Sequence, residues 1–156
     1  MKKLFHLFSR RLSSTHKVGR FGEGVAAAYL KKQGFRVIAR NLHLSHDEID
    51  LIVENATDLV FVEVKTRAVS REKYDAEASE LSPLDNRPSS CVNAEKKDHL
   101  LCAAYAYLAK HPCAKQPRID VVEVLLEKDA DGFATRRVLD IRHIPAAVSR
   151  SDRRRR

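Results

Sequence analysis

The sequence predicts a three-layer α/β domain in which helices flank a mixed β-sheet. Three observations predict this class. Helix-like and strand-like segments follow one another in the order α-β-β-β-α-β-β, the strand-like runs are rich in valine and isoleucine, and no segment is repeated. The chain of 156 residues, 44% hydrophobic and 32% charged, is long enough to build one core without disulfides or a structural metal.

The first half of the chain contains one predicted helix and three predicted strands. Gly22-Glu23-Gly24 leads into VAAAYLKKQ, where alanine, leucine and lysine favour a helix that ends at Gly34. Phe35 to Ala39 is typical of a short strand. Two apolar runs, Ile49 to Val53 and Leu59 to Val64, then predict a hairpin around a polar turn.

The second half contains a second predicted helix and two further strands. Residues 66–90 are polar and irregular, which indicates a long loop. Asn93 to Lys110 has leucines and alanines at helical spacing and predicts an amphipathic helix. Ile119 to Leu126 and Ala134 to Ile141 predict strands, and residues 145–148 predict a last helical turn.

The net charge of +8 is concentrated at the two ends of the chain. Residues 1–20 contribute +6 and residues 149–156 contribute +4, so the body carries −2. The sequence therefore predicts a basic N-terminal arm at 1–18, one domain at 19–148 and a basic tail at 149–156. Such ends either bind nucleic acid through counterion release or serve as solubilising tails. Two of them on one small domain favour a polyanionic partner.

The composition also predicts the compartment. No apolar run approaches the roughly 20 residues of a membrane-spanning helix, so no membrane partner is expected. Three cysteines, an odd number, argue against a disulfide framework and favour a reducing cytoplasm. The apolar part of the N-terminus is too short, and too interrupted by charged residues, for a secretory signal. A basic segment of this kind is typical either of a mitochondrial transit peptide or, more commonly, of a basic leader arm.

The segment EIDLIVENATDLVFVEVK, residues 48–65, carries charged residues at one end of the predicted hairpin. Pairing Glu54 with Leu59 fixes a register in which Asp50 lies opposite Glu63. Like charges in opposed positions destabilise a sheet, so a compensating group is expected. A divalent cation would compensate for this repulsion.

The same register places Glu48 opposite Lys65. Because side chains alternate between faces, these four charged residues should share one face. The other face should hold Ile49, Leu51, Val53, Val60, Val62 and Val64. The simpler alternative to a metal site is a solvated outer face with a Glu48–Lys65 salt bridge.

Several motifs together resemble the YraN-like family, which is related to Holliday junction resolvases and restriction endonucleases. They are GRFGEGVAAAYLKKQGFRVIARN, DEIDLIVEN, LVFVEVKTR, KKDHLLCAAYAYL and RIDVV, and they cover roughly residues 19–144. The resemblance implies a restriction-endonuclease-like three-layer core of the PD-(D/E)xK type. The family usually has glycine before Glu-Ile-Asp, whereas this chain has Asp47.

The resemblance also implies a site. The catalytic residues that it indicates are Asp50, Glu63, Lys65, Glu23 and Glu48. Asp50 and Glu63, with the carbonyl of Val64, would bind Mg²⁺ or Mn²⁺, since these ions prefer oxygen ligands and keep several waters. The residues expected to contact nucleic acid are Lys96, Arg67 and Arg20.

Two functions follow as hypotheses. The first is a metal-dependent endonuclease acting on DNA, including branched or single-stranded DNA. The second is a non-catalytic nucleic-acid-binding module on the same fold. Cleavage of a four-way junction would require two active sites and therefore a homodimer.

Overall fold

A computed structural model describes residues 11–44, 47–80 and 92–149. Within these residues the secondary structure consists of β1 (Arg11–Leu12), α1 (Thr15–Lys32), β2 (Arg36–Leu44), β3 (Asp47–Glu54), β4 (Asp58–Val69), α2 (Arg71–Glu80), α3 (Ala94–Lys110), β5 (Gln116–Lys128) and β6 (Ala134–Val148). Residues 1–10 and 150–156, which carry much of the predicted basic arm and tail, lie outside the described residues.

The six strands form one mixed sheet in the order β1-β6-β5-β4-β3-β2. Strands β4 and β5 run parallel along their whole length, from the pair Asp58–Gln116 to the pair Val69–Glu127. The other neighbouring pairs are antiparallel. The predicted α/β class with a mixed sheet is confirmed.

The sheet separates two hydrophobic cores, each covered by one long helix. On one face, Ala26, Ala27 and Leu30 of α1 pack on sheet residues Leu51, Val53, Val60, Val62, Val122, Val124 and Leu126. On the other face, α3 contributes Leu100, Leu101, Ala103 and Ala104, which pack on Ile49, Ile52, Leu59, Phe61, Ile119 and Val121. The period-two alternation of the central strands fills both cores and gives three layers.

The predicted helix from Asn93 to Lys110 is confirmed as α3, with Asn93 as its N-cap accepting from Lys96 N at 2.8 Å. Helix α1 also exists but begins at Thr15, seven residues before Gly22, with Ser14 as its N-cap. Ahead of it, Leu12 is buried in β1 and pairs with Ala134. Among the described residues, a strand is therefore already present at Arg11–Leu12 and α1 at Thr15, inside the segment 1–18 that was expected to be an arm.

Two expectations about the later chain are wrong. Residues 66–69 continue β4 and residues 71–80 form α2, so only part of 66–90 could be a loop, and 81–91 lie outside the described residues. Residues 145–148 extend β6, and Val148 pairs with Ile119, so they form no helical turn. Pairing with β5 decides the conformation of residues 66–69 and of residues 145–148.

No helix among residues 11–44, 47–80 and 92–149 is long and apolar enough to cross a membrane.

Candidate active site

The β3–β4 hairpin has the predicted register. Its pairs run from Glu54–Leu59 to Leu51–Val62. The turn is held by Asn55, whose Oδ1 accepts hydrogen bonds from Asp58 N at 2.7 Å and Thr57 N at 2.9 Å. This Asx-type turn fixes the strand pairing that the sequence predicted.

The two strands part beyond Leu51–Val62. Strand β3 stays paired with β2 as far as Asp47, whereas β4 stays paired with β5 as far as Val69. In the gap, Asp50 Oδ2 accepts a hydrogen bond from Val64 N at 2.7 Å, so a side chain replaces the missing ladder bond. Asp50 and Glu63 are therefore at the point of divergence rather than in a regular cross-strand pair.

The divergence also changes which residues share a face. Leu51, Val53, Val60 and Val62 lie in the core under α1, with Val64 packed against it, as predicted. Ile49 lies instead in the core under α3, so its predicted face is wrong. The strand loses its strict alternation at Asp50, whose β2 neighbour Asn41 has a positive φ of 48°. This irregularity brings Asp50 toward α1.

Glu63 is buried, with 3% of its surface exposed, and lies between two lysines. Lys65 Nζ is 2.8 Å from Glu63 Oε1, and Lys96 Nζ is 3.1 Å from Oε2. Oε2 is nevertheless without a hydrogen bond in the described residues, because the Lys96 contact is not aligned as one. Two ammonium groups thus compensate the charge of the buried carboxylate, and Oε2 keeps lone pairs that a further ligand could use.

The structure brings the predicted carboxylates into electrostatic contact. Burial and the nearby charge of Glu63 raise the pKa of Asp50 to about 7, against the opposing effects of Val64 N–H and Lys96. Burial and the charge of Glu48 raise the pKa of Glu23, which Asn41 Nδ2 also contacts at 2.9 Å. Carboxyl groups whose pKa values are raised by burial and by a neighbouring negative charge are typical of functional sites.

The Glu48–Lys65 salt bridge of the alternative interpretation does not form. Lys65 pairs with Glu63, and Glu48 is exposed and lies 3.7 Å from His43 Nε2 on the neighbouring strand. The parting of β3 from β4 explains the difference, because it separates the two positions that the regular register would have opposed.

A cleft of about 620 Å³ opens beside the divergence point. Glu23, Asp50, Val64 and Lys65 line it from α1, β3 and β4. The other lining residues come from the start of α1 and from the β5–β6 hairpin, which contributes Lys128 and Phe133. Sequence reasoning did not select these two residues, although an aromatic directly after a polar turn glycine was a visible signal.

The candidate metal ligands at the divergence point are oxygen donors. Within residues 11–44, 47–80 and 92–149, no three or more His, Cys, Asp or Glu side chains are grouped to hold a metal ion. Asp50, the buried Glu63 and the Val64 carbonyl could hold a hard cation that keeps several waters, as Mg²⁺ does. They do not suit zinc, which prefers nitrogen and sulfur ligands.

Comparison with known proteins identifies the family. The family described as "Uncharacterised protein family UPF0102" matches residues 22–124. The chain belongs to the UPF0102 family. This is the YraN-like family that the sequence motifs resemble.

Two bacterial UPF0102 proteins illustrate the relationship. That of Syntrophotalea carbinolica is 34% identical over 131 residues, which are 83% of this chain and 89% of the relative. That of Symbiobacterium thermophilum is 40% identical over 119 residues, or 76% of this chain and 88% of the relative. The similarity therefore extends over most of both chains.

The UPF0102 match includes the carboxylates and lysines of the divergence point but ends within β5. Arg20 and Phe133 lie outside it. Among the residues predicted to contact nucleic acid, Lys96 contacts Glu63, whereas Arg67 pairs with buried Glu123 at 2.6 Å and leaves 63% of its side chain exposed. Arg20 is exposed on α1, where its charge counteracts the raised pKa of Glu23.

A close contact between α1 and β4 positions Glu23. A Cβ atom added to Gly22 would lie 1.8 Å from Thr66 Oγ1 and 2.8 Å from Thr66 Cβ. We expect Gly22→Ala to push α1 away from the cleft and to destabilise the protein by about 1–3 kcal/mol, as overpacking does. Chemical denaturation would measure the change.

A matched control and a partial rescue test this contact. Gly24 has nothing within 4 Å of its added Cβ, so Gly24→Ala should not destabilise the same helix. Thr66→Ala should recover part of the loss in Gly22→Ala, because it removes Oγ1 and Cγ2 but keeps Cβ. Equal effects of Gly22→Ala and Gly24→Ala would contradict a positioning role for this contact.

Proposed function

We propose that this protein is a Mg²⁺- or Mn²⁺-dependent endonuclease that hydrolyses phosphodiester bonds in DNA. The observation that carries the proposal is the pair Asp50 and Glu63 at the point where β3 and β4 part, with Lys65 beside them. Membership of the UPF0102 family and the arrangement of one sheet between two helical layers are consistent with the restriction-endonuclease-like core that the sequence motifs imply.

Asp50 and Glu63 would bind the metal, together with the Val64 carbonyl. Two of their properties support this role: Glu63 is buried and its Oε2 makes an ion pair with Lys96 that lacks hydrogen-bond geometry, and burial and Glu63 raise the pKa of Asp50. A cation placed between the two carboxylates would offset their repulsion. When bound, the metal ion supplies positive charge to the phosphate and lowers the pKa of bound water.

Lys65 would act on the substrate rather than on the metal, because an ammonium group has no lone pair to offer. Its side chain lines the cleft and is 37% exposed, while its ammonium lies against Glu63. In this position it can orient the attacking water and stabilise negative charge that develops on the phosphate. Lys96 approaches Glu63 from α3 and would balance the charge of the same site.

Glu23 and Glu48 would form an outer acidic group. Glu23 lines the cleft, and its charge contributes to the raised pKa of Asp50. They would hold water or a second cation near the site, while Arg20 and Arg67, both exposed, would contact phosphates farther along the strand.

The alternative is a nucleic-acid-binding module without turnover. Lys65, Arg67 and Lys96 each lie against a carboxylate, and such pairs can be purely structural. The raised pKa of Asp50 favours the enzyme, because a binding surface for a polyanion gains nothing from a buried pair of repelling carboxylates.

The direct test is cleavage of a DNA panel. Purified protein would be incubated with linear duplex, flapped, single-stranded and four-way DNA in Mg²⁺ or Mn²⁺, with EDTA as the control. We expect metal-dependent products from at least one substrate. If the wild-type protein binds DNA and cleaves none of these substrates with either metal, the endonuclease hypothesis is rejected in favour of the non-catalytic binding module.

Metal binding should be visible in thermal stability. We expect Mg²⁺ or Mn²⁺ in excess over its Kd to raise the melting temperature of the wild-type protein, because a ligand that binds only the folded state stabilises it. Glu63→Gln should lose this increment. Calorimetry with and without metal measures it, and equal increments in the two proteins would exclude Glu63 as a ligand.

A further inference from the structure

Phe133 is an exposed aromatic residue at the end of the β5–β6 turn. It is 46% exposed and belongs to neither hydrophobic core. A single exposed apolar side chain is common on protein surfaces, so the location and the neighbours of this ring decide whether it can bind a ligand.

The turn holds the backbone of Phe133 in place. Phe133 N donates to Asp129 Oδ1 at 3.0 Å, and Asp129 N donates to Phe133 O at 2.9 Å. Gly132 completes the turn with a φ of +83°, a conformation that glycine adopts without strain. The ring is therefore presented by a fixed hairpin and not by a loose loop.

One face of the ring is already covered by a cation. The Arg11 guanidinium lies 5.2 Å from the ring centroid, and Asp129 and Asp131 hold it there through ion pairs. A guanidinium over one face leaves the other face for a second planar group. The arrangement suits a single stacked ring.

The position of Phe133 relates this surface to the proposed active site. Phe133 and Lys128 line the same cleft as Asp50 and Lys65. Lys128 is exposed and can contact a phosphate, so the β5–β6 hairpin contributes an aromatic ring and a cation to the same cleft. Proteins that bind single-stranded nucleic acid combine these two features, with bases stacked on aromatic side chains beside a basic track.

We propose that Phe133 is a stacking platform for one unpaired base of a DNA strand that lies in the cleft. The inference rests on the proposed function in that it takes DNA as the ligand of the cleft. It adds a preference: single-stranded or locally unpaired DNA binds better than duplex, because the bases of a duplex are already stacked on one another.

A tryptophan substitution provides a direct reporter. The chain contains no tryptophan, so Phe133→Trp introduces one indole whose fluorescence can be excited selectively. Titration would be performed in EDTA, so that no cleavage occurs. We expect single-stranded oligo(dT) to quench the indole, whereas an abasic strand of equal length and charge should bind without quenching it.

Affinity measurements complete the test. We expect Phe133→Leu, which keeps an apolar side chain without an aromatic ring, to weaken binding of single-stranded DNA by about 5- to 100-fold. Duplex affinity should change little. Val138→Ala is the control. Val138 is also an exposed apolar residue, but it lies within β6 and does not line the cleft.

The outcomes separate this inference from the proposed function. If Phe133→Leu binds single-stranded DNA as the wild type does, or if oligo(dT) leaves the indole unquenched, stacking is excluded even when the enzyme cleaves DNA. If stacking is observed and the wild type cleaves nothing, the endonuclease proposal fails and the stacking site stands.

Discussion

Lys65→Ala should reduce DNA cleavage by at least about 100-fold, because it removes a preorganised positive charge from the reacting phosphate. DNA affinity and metal binding should stay close to those of the wild type. Lys65 is one cation among several near the cleft, and an ammonium group is not a metal ligand. Single-turnover cleavage and equilibrium binding, measured on the same substrate, separate the two effects.

Lys115→Ala is the matched control for this experiment. Lys115 Nζ lies 2.8 Å from Glu54 Oε2 at the turn end of the same hairpin, the distance that separates Lys65 Nζ from Glu63 Oε1. Both variants lose one lysine–glutamate pair, but only Lys65 lines the cleft. Equal cleavage by wild type and Lys65→Ala would show that the chemistry occurs elsewhere, and equal losses in both variants would indicate a general effect on the fold.

The parts of the fold that local physics determines could be predicted from the sequence. The hairpin register depends on a turn in which Asn55 Oδ1 accepts from the backbone N–H groups of Thr57 and Asp58, and α3 depends on an Asn93 cap and a helical apolar pattern. These interactions are close in sequence, so composition and spacing are sufficient to predict them.

Non-local pairing decided the parts that could not be predicted. Residues 66–69 have no strand-like alternation of their own, but parallel pairing with β5 extends β4 to Val69. At the end of β6, Ala146 N donates to buried Asp120 Oδ1 at 2.9 Å, and its φ is +52°. Partners 26 or more positions away fix both conformations.

The candidate site shows the same division. The sequence selected Asp50 and Glu63, but it assumed a regular ladder and therefore assigned Ile49 and the partner of Lys65 incorrectly. The early start of α1 was also hidden, because its three glycines resemble a turn. At Gly22 the reason for glycine is Thr66, a contact across 44 positions that no local pattern encodes.

Asp50→Asn should stabilise the metal-free protein at pH 8 while abolishing cleavage. Burial and Glu63 raise the pKa of Asp50 to about 7. The folded state therefore keeps a proton that the unfolded chain releases near pH 4. The stability that the protonated carboxyl contributes is complete below about pH 4 and is lost as the pH rises through 7.

Asparagine avoids this loss because it does not ionise, and its side-chain oxygen can still accept from Val64 N. At pH 8 without metal we expect Asp50→Asn to melt at least about 4 °C above the wild type, since each kcal/mol moves the Tm of a chain of this size by about 2–4 °C. At pH 5 the difference should shrink, because the wild-type carboxyl is then protonated.

Asp75→Asn, an exposed substitution on α2, should leave Tm nearly unchanged at both pH values. Excess Mg²⁺ should raise the Tm of the wild type but not that of Asp50→Asn. The difference in Tm between the two proteins should therefore become smaller or change sign. A gain in stability together with a loss of activity is expected where a site maintains repelling charges for function. If Asp50→Asn melts below the wild type at pH 8 without metal, Asp50 is a structural hydrogen-bond acceptor and the paired-carboxylate site is wrong.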